Sequence, residues 1–244
     1  MADPTGTARG RSRPSGARMG CNEPMTAEAA QLDAPRATGP DRPPLRPVVL
    51  RIAGKALLLA VLSLLLGAIT SFAQTVLPDA LRPLANSASG WTVPTAVLVW
   101  ALRERIGVSA VFGALSFECL VVGYVVASQL RGFADSETVF LVIGLLGGPI
   151  VGAAASSLRR PSGWRPAAGA GVLAGVLVGE AVWGFTVVLA TTGWVYWALV
   201  AVVGVALLVG TAIRRSFGRR ELLVALRATV AVALAFLGVY TVLS

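Results

Sequence analysis

Two acidic side chains, Glu118 and Glu180, stand inside apolar runs of a 244-residue chain that holds only 12 acidic residues. A carboxyl group at membrane depth is costly to bury, so it is by default a functional-site hypothesis. Counted from the arginine-flanked ends of their runs, the depths are about 15 Å for Glu118 and about 20 Å for Glu180, near the middle of a ~30 Å hydrocarbon core. Facing each other, the two would share a proton. Two readings stand for each acid: a group that binds a proton, cation or solute, or a structural acid hydrogen-bonded between helices. Gln74, at the outer end of the first apolar run, is a further polar signal, because an amide in an apolar helix needs a partner. Asn86, at the head of the second run, and Trp183, one turn beyond Glu180, complete the set expected to bind a ligand or proton or to line its path. The stretch from Ser71 to Trp91 adds hydroxyls, an Asp79–Arg82 pairing and an aromatic face. It reads either as the mouth of a site for a small polar or aromatic ligand or as an ordinary turn with a capped helix start.

Other chemistry is missing its residues. Histidine is absent, and the two cysteines are Cys21 and Cys119. Neither a zinc site nor a histidine-assisted nucleophile can be assembled from that set. No glycine loop for phosphates and no metal-ligand spacing occurs. The expectation is therefore no catalytic residues, no metal and no cofactor in a protein that is not an enzyme.

The elements that must position these groups follow from composition. The chain is 55% hydrophobic and 14% charged, with a mean hydropathy of +0.74. Such values indicate an all-α, polytopic transmembrane bundle. The net charge of +9 would suit nucleic acid in a soluble domain, but here the basic residues lie between apolar runs and in the N-terminal segment. They read as topology signals facing anionic lipid, and no nucleic-acid partner is expected. Residues 1–48, rich in Pro, Arg, Gly and Ala, read as a disordered cytoplasmic tail, and residues 49–244 as the transmembrane helical domain. No signal-peptide core appears before residue 48, and Met19 and Met25 leave the start of the mature chain, and with it Cys21, open.

Seven apolar runs follow, at roughly 53–77, 87–102, 108–130, 138–157, 167–190, 194–213 and 222–243. The second is short and contains Pro94, so a re-entrant half-helix comes into consideration. Counting it as a span places Arg46, Arg51 and Lys55, then Arg103 and Arg105, then Arg159, Arg160 and Arg165, then Arg214, Arg215, Arg219 and Arg220 on one side. Omitting it would violate the positive-inside bias at each later loop. The expected layout is about seven spans in the cell membrane, N-terminus cytoplasmic and C-terminus extracytoplasmic. Trp91, Trp194, Tyr196 and Trp197 would then mark the outer interface, and Trp100 and Trp164 the inner one.

Glycines recur every four residues in two runs, at Gly144, Gly148 and Gly152 and at Gly171, Gly175 and Gly179. Each set makes a groove that lets a second backbone approach. A loop of about ten residues joins these runs, so the two grooves are expected to mate as an antiparallel hairpin, with a kink at Pro149.

The segments Gly67-Ala-Ile-Thr-Ser-Phe-Ala-Gln74, Leu77-Pro78, Leu84-Ala-Asn86-Ser87-Ala-Ser-Gly-Trp91, Gly147-Gly148-Pro149-Ile-Val-Gly152 and Gly179-Glu180 together resemble an uncharacterised actinobacterial family of multi-pass membrane proteins. The resemblance covers roughly residues 52–243 and implies no established activity. From the residues, the leading expectation is small-solute binding or transport, driven by a gradient or as the substrate-binding membrane subunit of a larger importer. The alternative is a membrane interaction or scaffold protein that holds a partner helix or a second copy of itself in its glycine grooves.

Overall fold

In the computed structural model the described residues are 45–133 and 138–243. Of the expected tail, residues 1–48, the part up to residue 44 lies outside them, and residues 45–48 are helical. Eight helices follow in order: α1 (Leu45–Val76), α2 (Ala88–Leu102), α3 (Ile106–Leu130), α4 (Thr138–Ser157), α5 (Trp164–Thr186), the single turn α6 (Leu189–Thr192), α7 (Val195–Arg214) and α8 (Arg219–Leu243). A 3-10 turn, Arg82–Asn86, leads into α2. The long helices follow the apolar runs because hydrocarbon leaves backbone polar groups no partner but each other. Six are long and apolar enough to cross a membrane. Leucines and valines such as Leu65, Leu146 and Val202 are exposed on their outer faces, as lipid contact requires. The chain is thus a multi-pass membrane helical bundle.

The second run is different. At 15 residues, α2 rises about 22 Å, short of the ~20 residues a full span needs. It nonetheless carries the chain back across the bundle. Ser63 meets Ser116 at 2.8 Å and Ser71 meets Ser128 at 2.9 Å, so α1 and α3 run parallel. Parallel neighbours require the intervening segment to return from one end to the other, and the 3-10 turn with α2 makes that return. Seven passages result, the second in a shortened form.

The glycine grooves find partners other than each other. An added Cβ at Gly148 would lie 2.7 Å from the Gly113 carbonyl oxygen and 2.8 Å from the Ala114 Cα, both on α3. Gly152 opposes Ser109, and Gly144 opposes Phe117, also on α3. The second groove packs on α8: Gly171 against Ala225, Gly175 against Thr229 and Val232, and Gly179 against Ala233. The expected mating of α4 with α5 along their glycines is therefore overturned. A groove closes on whichever facing helix offers small residues at matching spacing. Ser109 and Gly113 do so on α3, and Ala225, Thr229 and Ala233 do so on α8. Helices α4 and α5 still touch near their connecting loop, where Gly169 meets Ala154.

Three aromatics expected at the outer interface are core residues instead. Tyr196, Trp197 and Trp91 are buried, whereas Trp194 is 64% exposed. Trp197 lies against Gly184, and its Nε1 donates to Thr192 Oγ1 at 2.8 Å. Arg131, at the end of the bundle opposite the arginine clusters, has local work: its guanidinium donates to the Ser71 carbonyl, to Ser71 Oγ at 3.0 Å and to Thr75 Oγ1 at 3.2 Å.

Candidate functional site

The short helix α2 is held at both ends by charged side chains from other helices. Any helix begins with free N–H groups and ends with free carbonyls, and buried ends need partners. At the start of α2, Ser87 is the N-cap and its Oγ accepts from Gly90 N at 3.0 Å. The next two donors go to Glu180 of α5: Ala88 N to Oε1 at 2.6 Å and Ser89 N to Oε2 at 2.7 Å. At the other end, Lys55 of α1 donates from Nζ to the Leu102 carbonyl at 2.6 Å and to Glu104 Oε1 at 2.6 Å. Arg159 Nη1 donates to the Trp100 carbonyl at 2.7 Å. The cations at the C-terminus complement the helix macrodipole, and the acceptor oxygens of Glu180 meet the donors at the N-terminus.

Glu180 is only 2% exposed. It stands six residues before the end of α5 at Thr186, so α2 begins about 9 Å below that end, at membrane depth. The hydroxyl of Tyr196, on α7, completes the cluster by hydrogen-bonding Ser87 Oγ and, at 2.7 Å, Ser89 Oγ. The carboxyl group therefore accepts two backbone donors at a helix N-terminus, and the three hydroxyls of Ser87, Ser89 and Tyr196 lie beside it.

Next to this cluster lies an apolar cleft of about 270 Å³, walled by α4 and α8 and floored by α2 and α5. Trp91, Phe117, Phe140, Val176, Phe236 and Tyr240 line it, and Ser87 and Ala88 form its polar margin. Trp91 is the hub: its ring centroid lies 6.4 Å from that of Phe117, 5.9 Å from Tyr124 and 5.4 Å from Phe140. Phe236 stacks on Tyr240 at 4.3 Å in the α8 wall. Of the residues that bond Glu180, Ala88 thus also borders the cleft. A larger cleft of about 370 Å³ lies between α2 and α7, with Ala96, Trp100, Leu177 and Leu207 on its walls and Arg214 and Arg215 at one end. It does not reach the Glu180 cluster.

The sequence-derived site residues are distributed unevenly around this centre. Trp183 packs edge-on against Tyr240 with centroids 5.5 Å apart, behind the cleft wall. Gln74 has the partner its burial demands, Tyr124, whose hydroxyl its Nε2 reaches at 3.1 Å. Tyr124 in turn touches Trp91, so Gln74 supports the hub from outside the cleft. Glu118 sits in the seam between α3 and α4 beside Gly144, and its Oε1 is buried without a hydrogen-bond partner. No hydrogen bond joins Glu118 to Glu180, so the proton-sharing pair is not formed; they lie on different helices with separate surroundings. The side chain of Asn86 lies outside the described residues.

Sequence reasoning missed Tyr196 and Tyr240 as site residues and passed over Lys55 and Glu104. One legible hint was Ser87 just ahead of an apolar run, the signature of a helix N-cap whose further donors need an acceptor. Lys55, the single lysine of the chain, carried a second hint, since a cation just inside the start of an apolar run calls for a partner.

No curated protein and no solved structure matches the chain. A family model spans residues 46–244, which is nearly the whole transmembrane region. The chain therefore belongs to the family of unknown function DUF6518.

Proposed function

We propose that the protein binds a small, largely apolar solute within the bilayer of the cell membrane, in the cleft between α4 and α8, as a non-enzymatic binding or transport protein. The observation that carries this reading is the meeting of an aromatic-lined cleft with the polar cluster at the start of α2. Ligand sites are typically concave and mostly apolar, with a few convergent polar groups that fix orientation. Here Trp91, Phe140 and Phe236 supply the apolar surface, and the hydroxyls of Ser87 and Tyr240 supply the orienting contacts. A shortened helix that begins at membrane depth is also a recurrent way to build a solute site. Glu180 holds that terminus in place, and a solute pressing on Ala88 acts directly on a residue bonded to it. Transport would draw on a gradient or a separate ATPase, with Glu118 as the second acid to test for proton carriage.

The scaffold alternative relied on open glycine grooves, and α3 and α8 occupy those grooves within the chain.

The test uses Gly147, which lines the cleft and where an added Cβ meets nothing within 4 Å. Gly147→Phe therefore fills the cleft without a backbone clash. Native mass spectrometry of the gently purified chain should show a bound small molecule in the wild type and lose it in Gly147→Phe. A wild-type chain that carries no small molecule and gains no thermal stability from any apolar solute tested refutes the proposal; retention of the same molecule in Gly147→Phe refutes the cleft as its site.

A further inference from the structure

At the arginine-rich end of the bundle, three segments far apart in sequence converge on one concavity of about 290 Å³. Its lining is Arg51 from α1, Arg103, Glu104 and Arg105 from the turn between α2 and α3, and Ser156, Arg159 and Arg160 from the end of α4. Five guanidiniums thus surround one carboxylate, and that carboxylate is already matched: Lys55 lies 2.6 Å from Glu104 and Arg51 lies 3.9 Å from it. The Glu104 side chain is 6% exposed, so it forms the floor and leaves the arginines at the rim. Ser156 Oγ donates to the Glu104 carbonyl at 3.2 Å and ties α4 to the turn.

The rim is set in place by the fold. Arg159 is anchored through one nitrogen on the Trp100 carbonyl. Arg103 takes φ 58° at the C-cap of α2, a left-handed position where glycine is the usual residue. The like charges crowd each other as well: the Arg159 guanidinium is pushed below its ordinary value by burial first and by the nearby Arg103 second, with Glu104 opposing. Neither the Arg103 nor the Arg160 guanidinium has a hydrogen-bond or ion-pair partner among the described residues. A positive-inside signal needs only basic residues near the ends of the spans. It does not need them gathered from three segments around one hollow.

We infer that this arginine cup is a binding site for a phosphate-bearing anion, supplied either as a phospholipid headgroup or as a free phosphate compound. Guanidinium groups match phosphate oxygens in paired hydrogen bonds, and several around one hollow can hold all sides of the group. By the charge bias of the sequence the cup faces the cytoplasm, where anionic headgroups lie within its reach.

The experiment uses the full chain and two arms. In the first, inorganic phosphate and pyrophosphate are titrated into protein in neutral detergent and binding is read by thermophoresis. In the second, the protein is placed in phosphatidylcholine nanodiscs with or without phosphatidylglycerol, and retained lipid is read by native mass spectrometry. Binding in the first arm identifies a free phosphate compound, and selective retention in the second a lipid headgroup. The double variant Arg103→Gln/Arg160→Gln should weaken the binding by about tenfold or more, because two charge-assisted contacts are lost. The equally discharged Arg219→Gln/Arg220→Gln, outside the cup, should stay within about twofold of the wild type. Absence of binding in both arms overturns the inference, and so does an equal loss in the two double variants.

Discussion

Replacing Glu180 should unfasten the start of α2, and the size of the effect follows from its two short hydrogen bonds. Ala88 N and Ser89 N approach the carboxyl group at 2.6 and 2.7 Å, and a buried donor left without its acceptor costs about 1–3 kcal/mol. Glu180→Ala removes both bonds and leaves two donors facing an apolar interior, for a gross loss of about 2–6 kcal/mol. Fraying of the first turn of α2 toward its outer end relieves part of this, so about 3–5 kcal/mol is expected. Glu180→Gln keeps the shape but offers one acceptor oxygen and sets an NH₂ against the other donor. Its expected cost is one bond and one stranded N–H, about 2–3 kcal/mol. With a Tm shift of about 2–4 °C per kcal/mol for a domain of this size, Ala should melt about 6–20 °C lower and Gln about 4–12 °C lower. Thermal unfolding in mild detergent, followed by tryptophan fluorescence, measures the shift. Hydrogen exchange resolved to residues 88–90 should speed up in both variants, since local opening sets protection there. If both variants melt within about 1 °C of the wild type with unchanged exchange at 88–90, the clamp is not a stabilising element and the reasoning fails.

Three further outcomes test the frame around the site. Lys55→Met takes from Glu104 its nearest cation and from the Leu102 carbonyl its donor, leaving Arg51 at 3.9 Å as the remaining ion-pair partner, and should cost about 1.5–3 kcal/mol, measured by thermal unfolding. Gly175→Leu drives a side chain into Thr229 and Val232 of α8; about 1–3 kcal/mol should be lost, and proteolysis should cut the loop before α8 faster than in the wild type. Ser63→Ala removes a hydroxyl that bonds Ser116 Oγ at 2.8 Å, and unfolding should register only about 0.6 kcal/mol, the usual scale for a hydroxyl pair between membrane helices.

Most of the helices were legible in the sequence because hydrocarbon imposes a simple demand. An apolar run must satisfy its own backbone, so runs such as 138–157 became α4 with the same bounds. The need of Gln74 for a partner was legible for the same reason, and Tyr124 meets it. Glu180 was legible as a costly residue, since no environment makes an intramembrane acid neutral to the fold.

What its burial serves was decided only by tertiary structure. The oxygens of Glu180 bind the backbone of a segment some ninety residues earlier, and backbone donors leave no trace in residue type. The same limit applied to the glycine grooves. Spacing establishes that Gly171, Gly175 and Gly179 admit a close neighbour, but many helices in an alanine-rich chain can be that neighbour, and the three-dimensional path chose α8. Tyr196 has the composition of an interface residue, yet folding carried its hydroxyl to Ser87 and Ser89. Local hydropathy thus determined which segments enter the membrane, because transfer from water depends on each segment alone. Which polar groups meet inside it depended on pairwise distances across the bundle, and only the assembled helices set those.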